Sequence, residues 1–340
     1  MHQYYAQNNP SNQYKDVDAF YFTPGDYDID WQELYAGGLN DLEYVKDRSA
    51  RSKDWGLYLT ATVLQVYGFH VTTDILGDIP FSEALRGDDG ISEPASESSV
   101  SIYDSLIVRL DNALAKDLGA ETVTNPGHAD FVFGGDIDKW IQFANTLKLK
   151  IYLRYAEQNP SKAAAAIQAL YASGAEFLSD DAAMDEFADQ ASKSNPFYEM
   201  DKRHLNTNQN LKASRTLFDL LNENNDTTRL YKIYNAAEAG GYKVMNQGDF
   251  NATSTALPPL TISTGKVEAT DPVYFISEAE SYFLQAEAIE RGWGTRDAQA
   301  MYERGVTASF EHAGDASKTD LFLAGPYDYN TFFGGGELWW

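Results

Sequence analysis

DPVYFISEAESYFLQAEAIERGWGT, residues 271–295, carries both ends of a helix and an unusual interior. Asp271 suits an N-cap, Pro272 the first helical position, and Gly292 the left-handed position after Arg291. The spacing between them predicts a helix over 272–291, about 30 Å long at about 1.5 Å per residue. A buried helix could carry leucine at Ala279, Ala286 and Ala288. Alanine at these positions predicts a partner that approaches closely.

A second periodic segment, 296–312, follows after a short turn and presents Ala298, Met301, Tyr302, Gly305, Ala308 and Ser309 on one face. Small residues on both helices, with Tyr and Phe filling the gaps, follow the packing logic of tetratricopeptide helix pairs. The segments 31–47 and 51–70 read alike. Trp31, Leu34, Tyr35, Leu42 and Val45 share one face, and Trp55, Leu59, Thr62, Val63, Val66 and Tyr67 another. WQEL keeps only the Trp-x-x-Leu part of the repeat motif, so no regular repeat is read from it. Trp31, Trp55 and Trp140 sit on helical faces and are assigned to the core.

Further helices are expected from Tyr103 to Leu114, with Ser101 and Asp104 as a capping box, and over 140–158, 161–174 and 211–226. Strand-like alternation is scarce. The fold class is all-α, mostly helical, with tetratricopeptide-like pairs as a scaffold. Between the helices lie long irregular stretches: 1–30, 71–97, 119–136, 179–210 and 235–270. Loops of that length usually bind something or are disordered. These are rich in Tyr, Phe, Asn and Asp, which are recognition residues rather than disorder formers.

Composition removes several function classes. The 340-residue chain carries 51 acidic and 26 basic side chains, a net charge of −25, which argues against nucleic acid and anionic lipid. It contains no cysteine, which rules out disulfides, thiol nucleophiles and thiolate metal sites. No run approaches the roughly 18 apolar residues of a membrane span, and the polar N-terminus lacks a signal-peptide pattern. The five histidines are scattered and form no metal-binding pair. TISTGKV lacks the glycine and hydroxyl of a phosphate loop, and FFGGGEL near the end has no helix after it. No Gly-x-Ser-x-Gly elbow occurs. Pairs of carboxylates are no more than chance supplies in so acidic a chain.

Two constellations remain. TTDILGDIPFSEALRG (72–87) places Asp74 and Asp78 around a glycine, as a calcium loop does, although turn and N-cap roles explain them more simply. KSNPFYEMDKRH (193–204) gathers Asn195, Phe197, Tyr198 and Arg203 at a proline turn, either as a binding surface or as an aromatic plug under a loop. The candidate ligand residues are these four, with Tyr21, Phe22 and Tyr27 from the first loop.

GDIPFSEAL (77–85), KWIQFANTLKLKIYLR (139–154), SNPFY (194–198), SEAESYFLQAEAIERGW (277–293) and YERGVTASFE (302–311) occur in the order found in SusD/RagB-like proteins. The chain resembles that family over roughly residues 20–315. The resemblance implies a single SusD-like domain over 1–340, with a helical scaffold and loops that carry the ligand site. It also implies a non-catalytic, cell-surface outer-membrane lipoprotein that captures oligosaccharide for a SusC-like TonB-dependent transporter, with no cofactor. The family's lipidated cysteine is missing, so an anchor is expected only in a longer precursor. The family's C-terminal segment is also expected beyond GGGELWW. The family includes peptide binders, which keeps peptide open as the ligand. A helical-repeat protein–protein adaptor is a further alternative, and a glycoside hydrolase the weakest. A coplanar, solvent-facing aromatic pair points to glycan, a deep apolar slot to peptide, and facing carboxylates in a cleft to hydrolysis.

Overall fold

The computed structural model describes residues 4–7, 13–23, 25–205, 210–250 and 261–333. The glycines of FFGGGEL and the final GGGELWW lie outside the described residues. In chain order the principal helices are α1 (Leu39–Ser52), α2 (Trp55–Leu76), α3 (Ser99–Leu114), α4 (Ile137–Leu153), α5 (Pro160–Ala172), α6 (Arg215–Glu223), α7 (Thr227–Ile233), α8 (Glu278–Glu290) and α9 (Ala298–His312). Short strands accompany them, and four of these form one sheet: β1 (Tyr5–Gln7), β2 (Leu211–Ala213), β3 (Tyr234–Asn235) and β4 (Thr264–Gly265). Helix dominates, as the spacing predicts. The backbone groups into two compact units, one of residues 27–183 and 274–305, the other of 1–26, 184–273 and 306–340.

The first unit is the helical scaffold. Leu59, Val63, Val66 and Phe69 of α2 pack with Ile102, Leu106 and Leu110 of α3 and with Trp140, Phe143 and Leu147 of α4 in one core. A second cluster joins Leu149, Ile167, Leu170 and Tyr171 to Ala288 of α8. The alanine expectation holds, since Ala286 and Ala288 are fully buried and Ala279 nearly so. A leucine at Ala288 would collide with the side chains that meet there. Helix α8 runs antiparallel to the start of α9. Gln285 accepts from Arg296 at 3.0 Å, the rings of Phe283 and Tyr302 lie 5.9 Å apart, and Glu278 pairs with Arg304. Gly305 is required there, because a Cβ would sit 2.7 Å from the Phe283 ring.

Some boundaries differ from the expectation. The helix predicted over 272–291 begins only at Glu278. Val273–Ile276 is a strand, and Ser277 is the N-cap, accepting from the backbone N–H of Glu280 at 3.1 Å. Tyr274-Phe275-Ile276, every residue of it β-branched or aromatic, prefers the extended state that a proline-led helix cannot displace. Gly292 does adopt the left-handed conformation, with φ +75°. The cap of α3 is Ser98 rather than Ser101, whose own N–H it receives. Helix α2 continues to Leu76, beyond the expected end, and the 211–226 segment opens as a strand before α6.

The second unit holds an antiparallel sheet in the order β1-β2-β4-β3, with Tyr5 opposite Ala213, Lys212 opposite Thr264 and Tyr234 opposite Gly265. Sequence reading missed it because each strand is two to three residues long, too short for alternation to register. Gly265 is fixed by close approach, since a Cβ would lie 2.6 Å from the Tyr5 ring.

Candidate ligand cleft

Residues Asp28–Gln32 form one helical turn, and Glu33–Gly38 widen into a π-helical turn that leads into α1. Such wide turns recur at functional sites. Trp31 and Tyr35, four residues apart, fall on one face of this segment. Their rings stack with centroids 4.4 Å apart and planes 27° from parallel. Tyr35 is held from behind, since its hydroxyl donates to the Pro80 carbonyl at 2.8 Å and its ring meets Phe69 edge-on at 6.0 Å. Burial raises its pKa well above the ordinary phenol value, so the hydroxyl stays a neutral donor. Trp31 remains 36% exposed.

Trp31, braced from behind by Tyr35, walls a cleft of about 520 Å³, completed by Tyr27, Asp30, Glu33 and Leu34 on one side and Val71, Thr72, Ile75 and Leu76 on the other. The second group is one face of the last turns of α2. Ile75 is 61% exposed, an apolar side chain left in solvent at the mouth of the cleft. The cleft therefore offers an aromatic wall, an aliphatic floor and two carboxylates. Those carboxylates sit three residues apart on one helical turn, side by side rather than across the cleft from each other. Glycoside hydrolysis needs two that flank the scissile bond.

The structure corrects the assignment of Trp31 to the core. Trp140 is buried, with its indole N–H donating to Asp130 at 2.7 Å. Trp55 is half-buried, with the Lys116 ammonium 5.0 Å from its ring. Trp31 shares the helical spacing of both but faces the cleft. The signal available in the sequence was its pairing with Tyr35 just before Gly37-Gly38, a weak place for a core helix.

Of the candidate ligand residues, only Tyr27 lines this cleft. The others belong to the second unit. Tyr21 and Phe22 are 64% and 44% exposed, beside Phe20, which has φ +55°. Asn195, Phe197, Tyr198 and Arg203 are brought together around one turn. Asn195 is buried as an N-cap, accepting from the N–H groups of Phe197 and Tyr198 while its amide donates to the Asp271 carbonyl at 2.9 Å. Arg203 lies over the Tyr198 ring at 5.4 Å and pairs with Glu199 at 3.2 Å and with Asp189. Phe197 is 40% exposed and stacks on Tyr5 at 6.5 Å. Asn195 and Arg203 are thus spent on holding the turn, while Phe197 is the member that faces solvent.

Asp74 accepts from the Tyr103 hydroxyl and pairs with Arg154, and Asp78 accepts from the N–H of Ser99 at 2.9 Å at the start of α3. Among the described residues no group of three His, Asp or Glu side chains could hold a metal ion. The two aspartates hold elements together.

The sequence matches the SusD-like family, described as starch-binding and associating with the outer membrane, over residues 1–336. The chain belongs to that family. Solved structures agree with this assignment. A SusD homologue from Bacteroides uniformis has a TM-score of 0.79 and 23% identity, covering 95% of this chain and 66% of its own. A chitin-binding SusD homologue from Flavobacterium johnsoniae has a TM-score of 0.78 and 22% identity, covering 95% and 66%. A SusD-like protein from Bacteroides thetaiotaomicron has a TM-score of 0.76 and 24% identity, again covering 95% and 66%. The chain thus spans slightly less than two thirds of each of these relatives. No curated protein sequence matches it.

Proposed function

We propose that this SusD-like chain is a non-catalytic surface protein that captures oligosaccharide and delivers it to a SusC-like TonB-dependent transporter. The observation that carries the ligand reading is part-exposed Trp31, held by its stack on Tyr35 and walling an open cleft. Pyranose rings present flat C–H faces that pack on aromatic rings, and their hydroxyls need nearby acceptors, which Asp30 and Glu33 supply. A relative described as chitin-binding makes N-acetylglucosamine oligomers the first probe. The aliphatic floor of Leu34, Val71, Ile75 and Leu76 favours a second reading, in which the cleft takes apolar side chains of a peptide.

Calorimetric titration with chito-oligosaccharides, malto-oligosaccharides and a mixed peptide pool separates the two. The glycan reading expects one of the sugar series to bind and Trp31→Ala to weaken it at least about tenfold, the loss of about 1.4 kcal/mol. The melting temperature should change little, because Trp31 is part-exposed. Binding of peptides but no sugar would replace this reading with the second.

A further inference from the structure

The polar inventory of the Trp31 cleft is one-sided. Asp30 and Glu33 both line it, and no lysine, arginine, asparagine or glutamine does so among the described residues. The hydroxyl of Thr72 is already spent, since it donates to the Gly68 carbonyl at 2.8 Å. Side-chain donors are thereby reduced to the Trp31 indole edge and the Tyr27 hydroxyl. Against them stand two carboxylates, whose oxygens only accept.

The two carboxylates are also unanswered. Where acids face a neighbouring helix of this scaffold, a base meets them: Lys148 lies 2.6 Å from Asp111, and Lys150 2.6 Å from Glu280. Asp30 and Glu33 are exposed and stand in no ion pair among the described residues. From Asp16 to Val45 the chain carries no lysine or arginine, so no base is near them in sequence either. Leu34, Val71 and Ile75 give the cleft apolar walls. A cleft lined by one sign of charge between such walls concentrates ligands of the other sign.

We infer that the Trp31 cleft selects a protonated amine, and that its preferred ligand is a glycan with free amino groups, a deacetylated glucosamine oligomer, over N-acetylated and acidic counterparts. The inference rests on the oligosaccharide reading above and adds to it the charge of the sugar. An ammonium group has three donors and no acceptor, the complement of Asp30 and Glu33. The outer face of Trp31 attracts the same cation through its ring quadrupole. An acetamide presents instead a carbonyl oxygen, which needs a donor that the cleft hardly supplies. A uronate brings one more carboxylate beside two others, a like-charge contact that rejects it. One exposed ion pair contributes little. Two carboxylates around one ammonium on an indole face act together, with no competing base in the lining.

Titration of the chain with glucosamine, N-acetylglucosamine, maltose-series and galacturonic acid oligomers of equal length, in mildly acidic buffer where the amine is protonated, tests this. The glucosamine oligomer should bind at least about tenfold more tightly than the N-acetylated one. Added salt should shrink that ratio, and the acidic oligomer should not bind. Asp30→Asn/Glu33→Gln keeps the shape of both side chains and should bring the ratio to within about twofold of one, with a melting temperature that confirms folding. A preference that survives in this variant belongs to the overall charge of −25 and overturns the assignment to the cleft. Equal or tighter binding of a neutral or acidic oligomer by wild type overturns the charge selection and leaves the oligosaccharide reading standing. No binding of any of the four removes that reading and the inference with it.

Discussion

His70 shows what a single residue contributes to this scaffold. It sits on α2 with 1% exposure, and neither ring nitrogen has a hydrogen-bond partner among the described residues. Asp74 is the nearest carboxylate at 3.8 Å, too far to accept a hydrogen bond. Burial lowers the imidazole pKa to about 4. Lys150 and Arg154 act in the same direction, and Asp74 opposes them. Between about pH 6.5 and pH 4 the unfolded chain therefore binds a proton that the folded one refuses. Stability must fall as pH drops through that window and level off below it, by up to about 3 kcal/mol. His70→Leu removes the titration and leaves no orphaned nitrogen. We expect its stability between pH 6.5 and 4, followed by urea unfolding, to be flatter than wild type by a large part of that amount. A parallel pair of curves would show that His70 is hydrated or paired on folding. Nothing in the sequence marked this residue. A histidine on an apolar helical face looks the same whether it is satisfied or not.

At the scale of elements, periodicity was a good guide and helix ends were not. Helices α1, α2, α4, α5 and α9 lie where apolar spacing predicts them, because burial of one face is what both the spacing and the packing report. The N-terminus of α8 was misplaced by six residues because Asp271-Pro272 is a good local signal with a different use. Asp271 accepts from the N–H of Glu268 at 2.8 Å and so closes a turn, while Ser277 carries the cap. The two roles predict different energetics. Ser277→Ala should cost about 1 kcal/mol, the usual loss for an N-cap serine. Asp271→Ala, in an exposed turn, should cost no more than about 0.5 kcal/mol. Denaturant midpoints of the two variants decide the matter, and a larger loss at Asp271 would restore the longer helix. The candidate site was harder to read for a related reason. Tyr27 could be found in the loop by composition, but Trp31 obeys the same 3.6-residue spacing as the buried Trp140. Exposure depends on what lies opposite, here the last turns of α2, and spacing along one helix carries no information about its neighbours.

For the whole molecule, ligand capture alone moves nothing across a membrane. Among the described residues no helix is long and apolar enough to span one. A family that associates with the outer membrane and binds starch needs a conducting partner if the captured sugar is to enter the cell. Helical scaffolds present long rigid faces that can dock without rearranging, which leaves the loops and the cleft free for ligand. The charge of −25 sets the character of such an interface. A docking face on so acidic a chain meets either a basic surface, with steering that weakens with ionic strength, or an apolar one that does not. We expect the tagged full-length protein, solubilised with mild detergent from its native outer membrane, to co-purify with a TonB-dependent transporter. The complex should bury at least about 1,000 Å², as a specific interface does. Repeating the isolation at low and high salt tells the two kinds of face apart. Recovery of cytoplasmic proteins alone would break the chain of reasoning at its last step, and the helical surface would then have to be read as that of an adaptor.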